Sequence, residues 1–96
     1  MIPKREELAL TVDETEWEWL KAHLERGVVI VVSPELDLVA AGQKMAADDA
    51  ATVKTWIDAG KLAKPSVEQI AAWDADNDRT FRMLVISPYI LIQEKL

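Results

Sequence analysis

The stretch Phe81 to Gln93, Phe-Arg-Met-Leu-Val-Ile-Ser-Pro-Tyr-Ile-Leu-Ile-Gln, constrains the fold more than any other part of the chain. It is apolar almost throughout and rich in the β-branched and aromatic residues that suit a pleated surface. Pro88 bars a regular helix, and the run is too short to span a membrane. A second run, Val28-Val29-Ile30-Val31-Val32, has the same character and is the natural neighbour of the first. Strands apolar on both faces need cover on both faces, so the segments between them must supply helices. The expectation is an α+β domain with a small sheet of three or four strands.

The remaining elements follow from caps and periodicity. In residues 1–12, Leu8, Leu10 and Val12 alternate as in a strand, while Leu8, Val12, Thr15 and Trp19 also keep helical spacing, so both readings stand. Asp13 can cap a helix with Glu16 at its third position, and Val12 can touch Trp17 as a hydrophobic staple. Trp17, Leu20 and Leu24 form one stripe and Gly27 suits the left-handed stop, which predicts a helix over 14–26. Ser33 or Asp37 can start the next, over 37–47, with Leu38, Val39, Gly42, Met45 and Ala46 as its stripe. Gly42 in mid-helix costs about 1 kcal/mol against Ala, which argues for the close approach of another backbone. The Asp48-Asp49 pair interrupts and starts a helix over 49–59, with Ala50, Val53, Trp56 and Ile57 facing inward and Gly60 at its end. Residues 61–64 read as an edge strand whose lysines discourage further pairing. Ser66 with Gln69 predicts a capped helix over 67–75, in which Val67, Ile70, Ala71 and either Trp73 or Asp74 share a stripe.

In the closing strands, near 81–86 and 89–93, Phe81, Met83 and Val85 point one way and Thr80, Arg82, Leu84 and Ile86 the other. Proline holds φ near about −65°, whereas the primed two-residue hairpins need positive φ. The expectation is therefore a bend or bulge at Ser87-Pro88 in one continuing strand, with either isomer of that bond open.

Composition narrows the function classes. A chain of 96 residues supports one core, hence a single domain over 1–96. Eleven Lys and Arg against seventeen Asp and Glu give a net charge of −6, which disfavours nucleic acid and anionic membrane as partners. No cysteine is present, so disulfides, thiolate metal sites and cysteine nucleophiles are excluded. The first residues carry charge without an apolar segment after it, so no secretory signal is read and a cytoplasmic location is expected.

Four of the six aromatic residues are Trp, each a large anchor for a core or an interface. On one helix Trp17 and Trp19 lie about 200° apart, so they cannot share a core. Trp19, His23 one turn later, and Tyr89 are the candidate interaction surface. A lone His without Cys or a second His makes a poor metal site. Asp74, Asp76 and Asp78 begin like a calcium-binding EF-hand loop, but the sixth position is Arg79 instead of Gly and the twelfth is Val85 instead of Glu, so a solvated acidic turn is expected. The three glycines are far apart and build no phosphate loop. The sequence thus names no catalytic, cofactor-binding or metal-binding residue, and no cofactor is expected.

Residues 38–62 resemble a helix-turn-helix of the excisionase type, with Lys54 and Thr55 as donors beside Asp48, Asp49 and Asp58. A wider resemblance runs through Trp17-Glu18-Trp19-Leu20, Arg26-Gly27-Val28-Val29, Glu35-Leu36-Asp37-Leu38, Asp48-Asp49, Trp56 with Gly60, Trp73, and Ser87-Pro88-Tyr89-Ile90-Leu91-Ile92-Gln93-Glu94. In the order and spacing of these pieces, over most of residues 13–95, the chain is similar to the small bacterial family catalogued as domain of unknown function 2288. Leu24 and Glu25, and Tyr89 after the late proline, depart from its pattern. The resemblance implies a compact prokaryotic protein and transfers no site.

Three functional expectations follow. The first is a non-catalytic protein-interaction or self-assembly module, a homodimer or a binder of another protein, recruiting its partner through an exposed edge of the apolar C-terminal strand. The second is nucleic-acid binding through residues 38–62. A ligand pocket between helix and sheet, around His23 or Arg82, is a third.

Overall fold

The computed structural model describes residues 11–76, 79–86 and 88–94, which form five strands and four helices. In chain order these are β1 (Asp13–Glu16), α1 (Trp17–Leu24), β2 (Val29–Val32), α2 (Leu38–Ala46), α3 (Ala50–Asp58), β3 (Leu62–Ala63), α4 (Val67–Ala75), β4 (Thr80–Ile86) and β5 (Tyr89–Glu94). The strands make one mixed sheet in the order β1-β4-β5-β2-β3. Only the β2–β5 pairing is parallel. The class is α+β, with one strand more than the upper expectation. None of the described helices is long and apolar enough to cross a membrane.

The extra strand is β1, and it corrects the first helix. Asp13 to Glu16 pair antiparallel with Met83 to Thr80, so the carboxylate that reads as a helix cap lies in an extended segment and accepts from the neighbouring Glu14 N–H at 2.9 Å. The helix starts only at Trp17, with Glu16 giving no side-chain cap. The staple fails too, because Val12 packs on one face of the sheet and Trp17 on the other. A cap signal at Asp13 lost to the pairing of an otherwise open β4 edge. Residues 1–10, where strand and helix readings competed, lie outside the described residues.

The other caps form as expected. Asp37, not Ser33, starts α2, accepting from Val39 N–H at 2.9 Å. Asp49 starts α3, accepting from Thr52 N–H at 3.2 Å. Ser66 and Gln69 complete a reciprocal capping box on α4. Gly27 and Gly60 hold positive φ of 68° and 75°, the left-handed stops that a Cβ disfavours.

The C-terminal pair carries the largest correction. Ile86 pairs with Tyr89, and the antiparallel register continues to Phe81 with Glu94. The chain therefore reverses between Ile86 and Tyr89 instead of continuing as one bent strand. Proline excludes the primed turns but not reversal as such, since a turn can carry proline at its third position. Six facing residue pairs, most of them apolar, drive the hairpin. Ser87 and the isomer of its bond to Pro88 lie outside the described residues. In consequence β5, not β4, lies beside β2, so the two apolar runs of the sequence are neighbours, as expected, through the second half of the first run. β5 is central, so it offers no edge to a partner.

Strand alternation sends side chains to two layers. On one face, α2 and α3 cover Val32, Leu62, Leu84 and Leu91, adding Leu38, Val39 and Ala41. On the other, α1 and α4 cover Val29, Phe81, Ile90 and Ile92 with Trp17, Leu20 and Trp73. Each fully buried side chain of this kind contributes about 1.5–3 kcal/mol. The second layer is built on an aromatic trio. Trp73 meets Trp17 and Phe81 edge-on, with 4.9 Å between ring centroids in each pair. Gly42 on α2 does admit a close neighbour, but the neighbour is the side chain of Leu84 rather than another backbone. The α4 stripe is narrower than expected, because Val67 is exposed and Ala71 with it, leaving Trp73 as its buried residue.

Candidate functional site

The α2–α3 corner does not close flat on the sheet. Asp48, with φ of 57°, turns the chain between the helices, and Asp49 then starts α3 at an angle that leaves a gap over the end of the sheet where β4 turns into β5. The gap is a cleft of about 570 Å³, within the usual range for small-ligand pockets. Ile30 of β2, Leu62 of β3, Ile86 of β4 and Tyr89 of β5 line its sheet side, and Met45, Val53 and Ile57 its helix side. Ile57, expected to face inward, is 53% exposed at the rim, and Tyr89 is 41% exposed. The apolar stripe of α3 packs through Val53 and Trp56 on the core beneath α2 and beside the two-residue strand β3, which leaves Ile57 uncovered at the rim.

Its polar groups are Asp48, Asp49, Lys54 and Lys64. Asp49 is committed to structure. Thr52 N–H donates to one carboxylate oxygen, Thr52 Oγ1 donates to the other at 2.9 Å, and Lys44 Nζ lies 3.6 Å away. The Thr52 backbone donor first, then its hydroxyl and Lys44, hold the Asp49 carboxyl below its ordinary value. Lys54, one of the two donors of the helix-turn-helix reading, is exposed and lines the cleft. Thr55, the other donor of the helix-turn-helix reading, gives its hydroxyl hydrogen to the Ala51 carbonyl at 2.9 Å.

The three sequence-named residues do not form one surface. Trp19 is 46% exposed and stacks on half-buried His23, with ring centroids 4.4 Å apart, on α1. Tyr89 belongs to the cleft, under the helices of the opposite face. Neither His23 nor Arg82 lines the cleft, so the pocket expected around them is elsewhere. Arg82 instead donates to Gln93 Oε1 at 3.4 Å. Of the cleft residues, Val53 and Ile57 read from the sequence as helix stripe, Lys54 as a donor of the helix-turn-helix and Lys64 as edge protection. The unusual half-polar packing of α3 on a two-residue strand is a tertiary feature with no local signal.

The acidic segment after α4 is likewise not a solvated turn throughout. Asp74 lies within α4 and accepts from buried Trp17 Nε1 at 2.8 Å and from Lys21 Nζ at 3.0 Å. The indole first and Lys21 second hold its carboxyl below the ordinary value. Asp76 lies 3.5 Å from Arg79 Nε, within ion-pair range but outside hydrogen-bond geometry. Asp78 lies outside the described residues. Among the described residues no three His, Cys, Asp or Glu side chains converge as metal ligands.

A family model described as a protein of unknown function, DUF2288, matches residues 3–94. The chain belongs to the DUF2288 family. The residues that suggested this family, from Trp17 to Glu94, thus carry both core and cleft: Trp17 and Trp73 are in the aromatic trio, and Asp48-Asp49 and Tyr89 are in the cleft. The DUF2288 fold is shared with a protein of Pseudomonas aeruginosa, PA1075, known from an NMR solution structure. The two are 27% identical, with a TM-score of 0.81 over 93% of this chain and 82% of that one. No curated protein matches the chain in sequence.

Proposed function

We propose that this DUF2288 chain is a non-catalytic binding module whose working surface is the cleft between the α2–α3 corner and the sheet. The observation that carries the reading is the half-exposed pair Ile57 and Tyr89 at the rim of an apolar gap. Apolar side chains left uncovered around a concavity mark the place where a ligand or partner removes them from water. The charged groups there suit binding better than proton transfer. Asp49 is held ionised as a helix cap, whereas a general acid or base at neutral pH needs a raised carboxyl value.

Self-association through the C-terminal strand loses its premise with β5 in the middle of the sheet. The cleft reading supplies a different contact surface and keeps the interaction role. Its test is binding of the uncharged solvatochromic dye Nile red, measured by fluorescence. Val53→Trp fills the cleft and Ile57→Glu places a charge at its exposed rim without disturbing the core. Both are expected to abolish the dye signal while Trp19→Ser leaves it intact. Dye binding that survives Ile57→Glu and is lost with Trp19→Ser would move the working surface to α1.

A further inference from the structure

Two cations face the cleft without an anionic partner. Lys54 of α3 and Lys64, one residue past β3, both line it. The ion pairs among the described residues engage Lys21, Lys44 and Arg79 instead. In a chain with seventeen acidic and eleven basic residues, two unpaired lysines beside Asp48 and Asp49 leave this apolar gap less acidic than the chain as a whole. Lys64 is also placed. A Cβ built on Gly27 would lie 3.3 Å from its Nζ, so the ammonium of this exposed residue sits near the turn that leads into β2. The two lysines come from elements on different sides of the gap, α3 and the end of β3.

The acids of the same rim do not cancel them equally. Asp49 is already neutralised by Lys44 and the Thr52 donors. Asp48 is exposed and disfavours a second negative charge on whatever enters. Tyr89 adds a phenol, a neutral donor that suits a carboxylate oxygen. Apolar walls, two free ammonium groups and one opposing carboxylate describe a ligand with a greasy body and a single anionic head.

We propose that the cleft takes a small amphipathic carboxylate, its alkyl body between α3 and the sheet and its head held by Lys54 and Lys64. This rests on the cleft being the working surface. Charge-assisted hydrogen bonds are about twice as strong as neutral ones, so the head must show as a difference between an acid and its alcohol.

The experiment compares decanoate with decanol by calorimetry on the wild-type chain and on a Lys54→Gln/Lys64→Gln variant. The wild type is expected to bind decanoate at least about tenfold tighter than decanol, and the double variant to lose that preference while keeping its affinity for decanol. Both substitutions are at solvent-facing positions outside the core, and an unchanged unfolding transition confirms the fold. Equal affinities in the wild type, or a preference that survives in the variant, overturn the head assignment and leave the cleft reading standing. Failure of both ligands to bind overturns the cleft reading as well. A stable dimer in light scattering, dissociated by Ile57→Glu, would assign the cleft to a second copy and overturn the carboxylate.

Discussion

Trp73 Nε1 donates to Glu94 Oε1 at 2.8 Å, which ties the buried end of α4 to the last described residue of the central strand. The same oxygen accepts from Arg79 Nη1 at 3.2 Å. Trp73 is 1% exposed, so its N–H has no water to turn to. Glu94→Ala is expected to destabilise the fold by about 1–3 kcal/mol, the cost of an unpaired buried donor, and Glu94→Gln, which keeps an acceptor, by less. Urea unfolding followed by Trp fluorescence checks both. A Glu94→Ala midpoint equal to the wild type's would mean that the indole finds another partner.

Asp74 and Asp49 give the acid limb of stability. Both carboxyls are held below the ordinary value of 3.8, Asp74 chiefly by the Trp17 indole and Asp49 chiefly by the Thr52 N–H. A lowered folded value favours the charged form in the native state. Their contribution is therefore fully present above pH 3.8 and is lost as pH falls through the lower folded values. Asp74→Asn is expected to be less stable than the wild type at neutral pH, and the two should converge below pH 3.8 in urea titrations. A gap that stays constant into acid would assign the loss to shape instead of charge.

Gly42 tests the packing of α2 on β4. A Cβ there overlaps the Leu84 side chain. Gly→Ala in a helix gains about 1 kcal/mol by propensity, while overpacking costs about 1–3 kcal/mol, so Gly42→Ala is expected to be net destabilising. In a Leu84→Ala background the overlap is gone and the same change is expected to stabilise. The two backgrounds form a double-mutant cycle read by thermal unfolding. Equal effects in both would remove Leu84 as the cause.

Gln93 is the one polar side chain counted with the core among the described residues, 6% exposed. Its amide donates to the Ser33 carbonyl at 2.9 Å and the Leu36 carbonyl at 2.6 Å, pinning the loop that leads into α2. Gln93→Leu keeps the volume and strands those acceptors, with an expected loss of about 1–2 kcal/mol. Hydrogen exchange should rise first at Leu36, Leu38 and Val39. Protection unchanged there would show that the loop holds without the amide.

The strands and helices that are dense in one pattern were legible: Val28 to Val32, Phe81 to Ile86, and the helices capped by Asp37, Asp49 and Ser66. Reading failed where two local signals competed. At Asp13 a cap motif stood in front of a helix, but β4 needed an edge partner and took Asp13 to Glu16. At Ser87-Pro88 proline chemistry argued against a tight turn, but the pairing of Phe81 to Ile86 with Tyr89 to Glu94 outweighed it. That single reversal also decides strand order, which is why the exposed C-terminal edge was expected and is not there. The cleft was beyond local reading, because Ile57 and Tyr89 lie 32 positions apart, 89 − 57 = 32, and only the corner at Asp48 brings their elements together.

The most direct test of the cleft as working surface is amide chemical-shift mapping of the labelled chain titrated with decanoate. Perturbations confined to Ile30, Val53, Lys54, Ile57, Lys64 and Tyr89 are the predicted result. Perturbations centred on Trp19 and His23, or none at any residue, would contradict it.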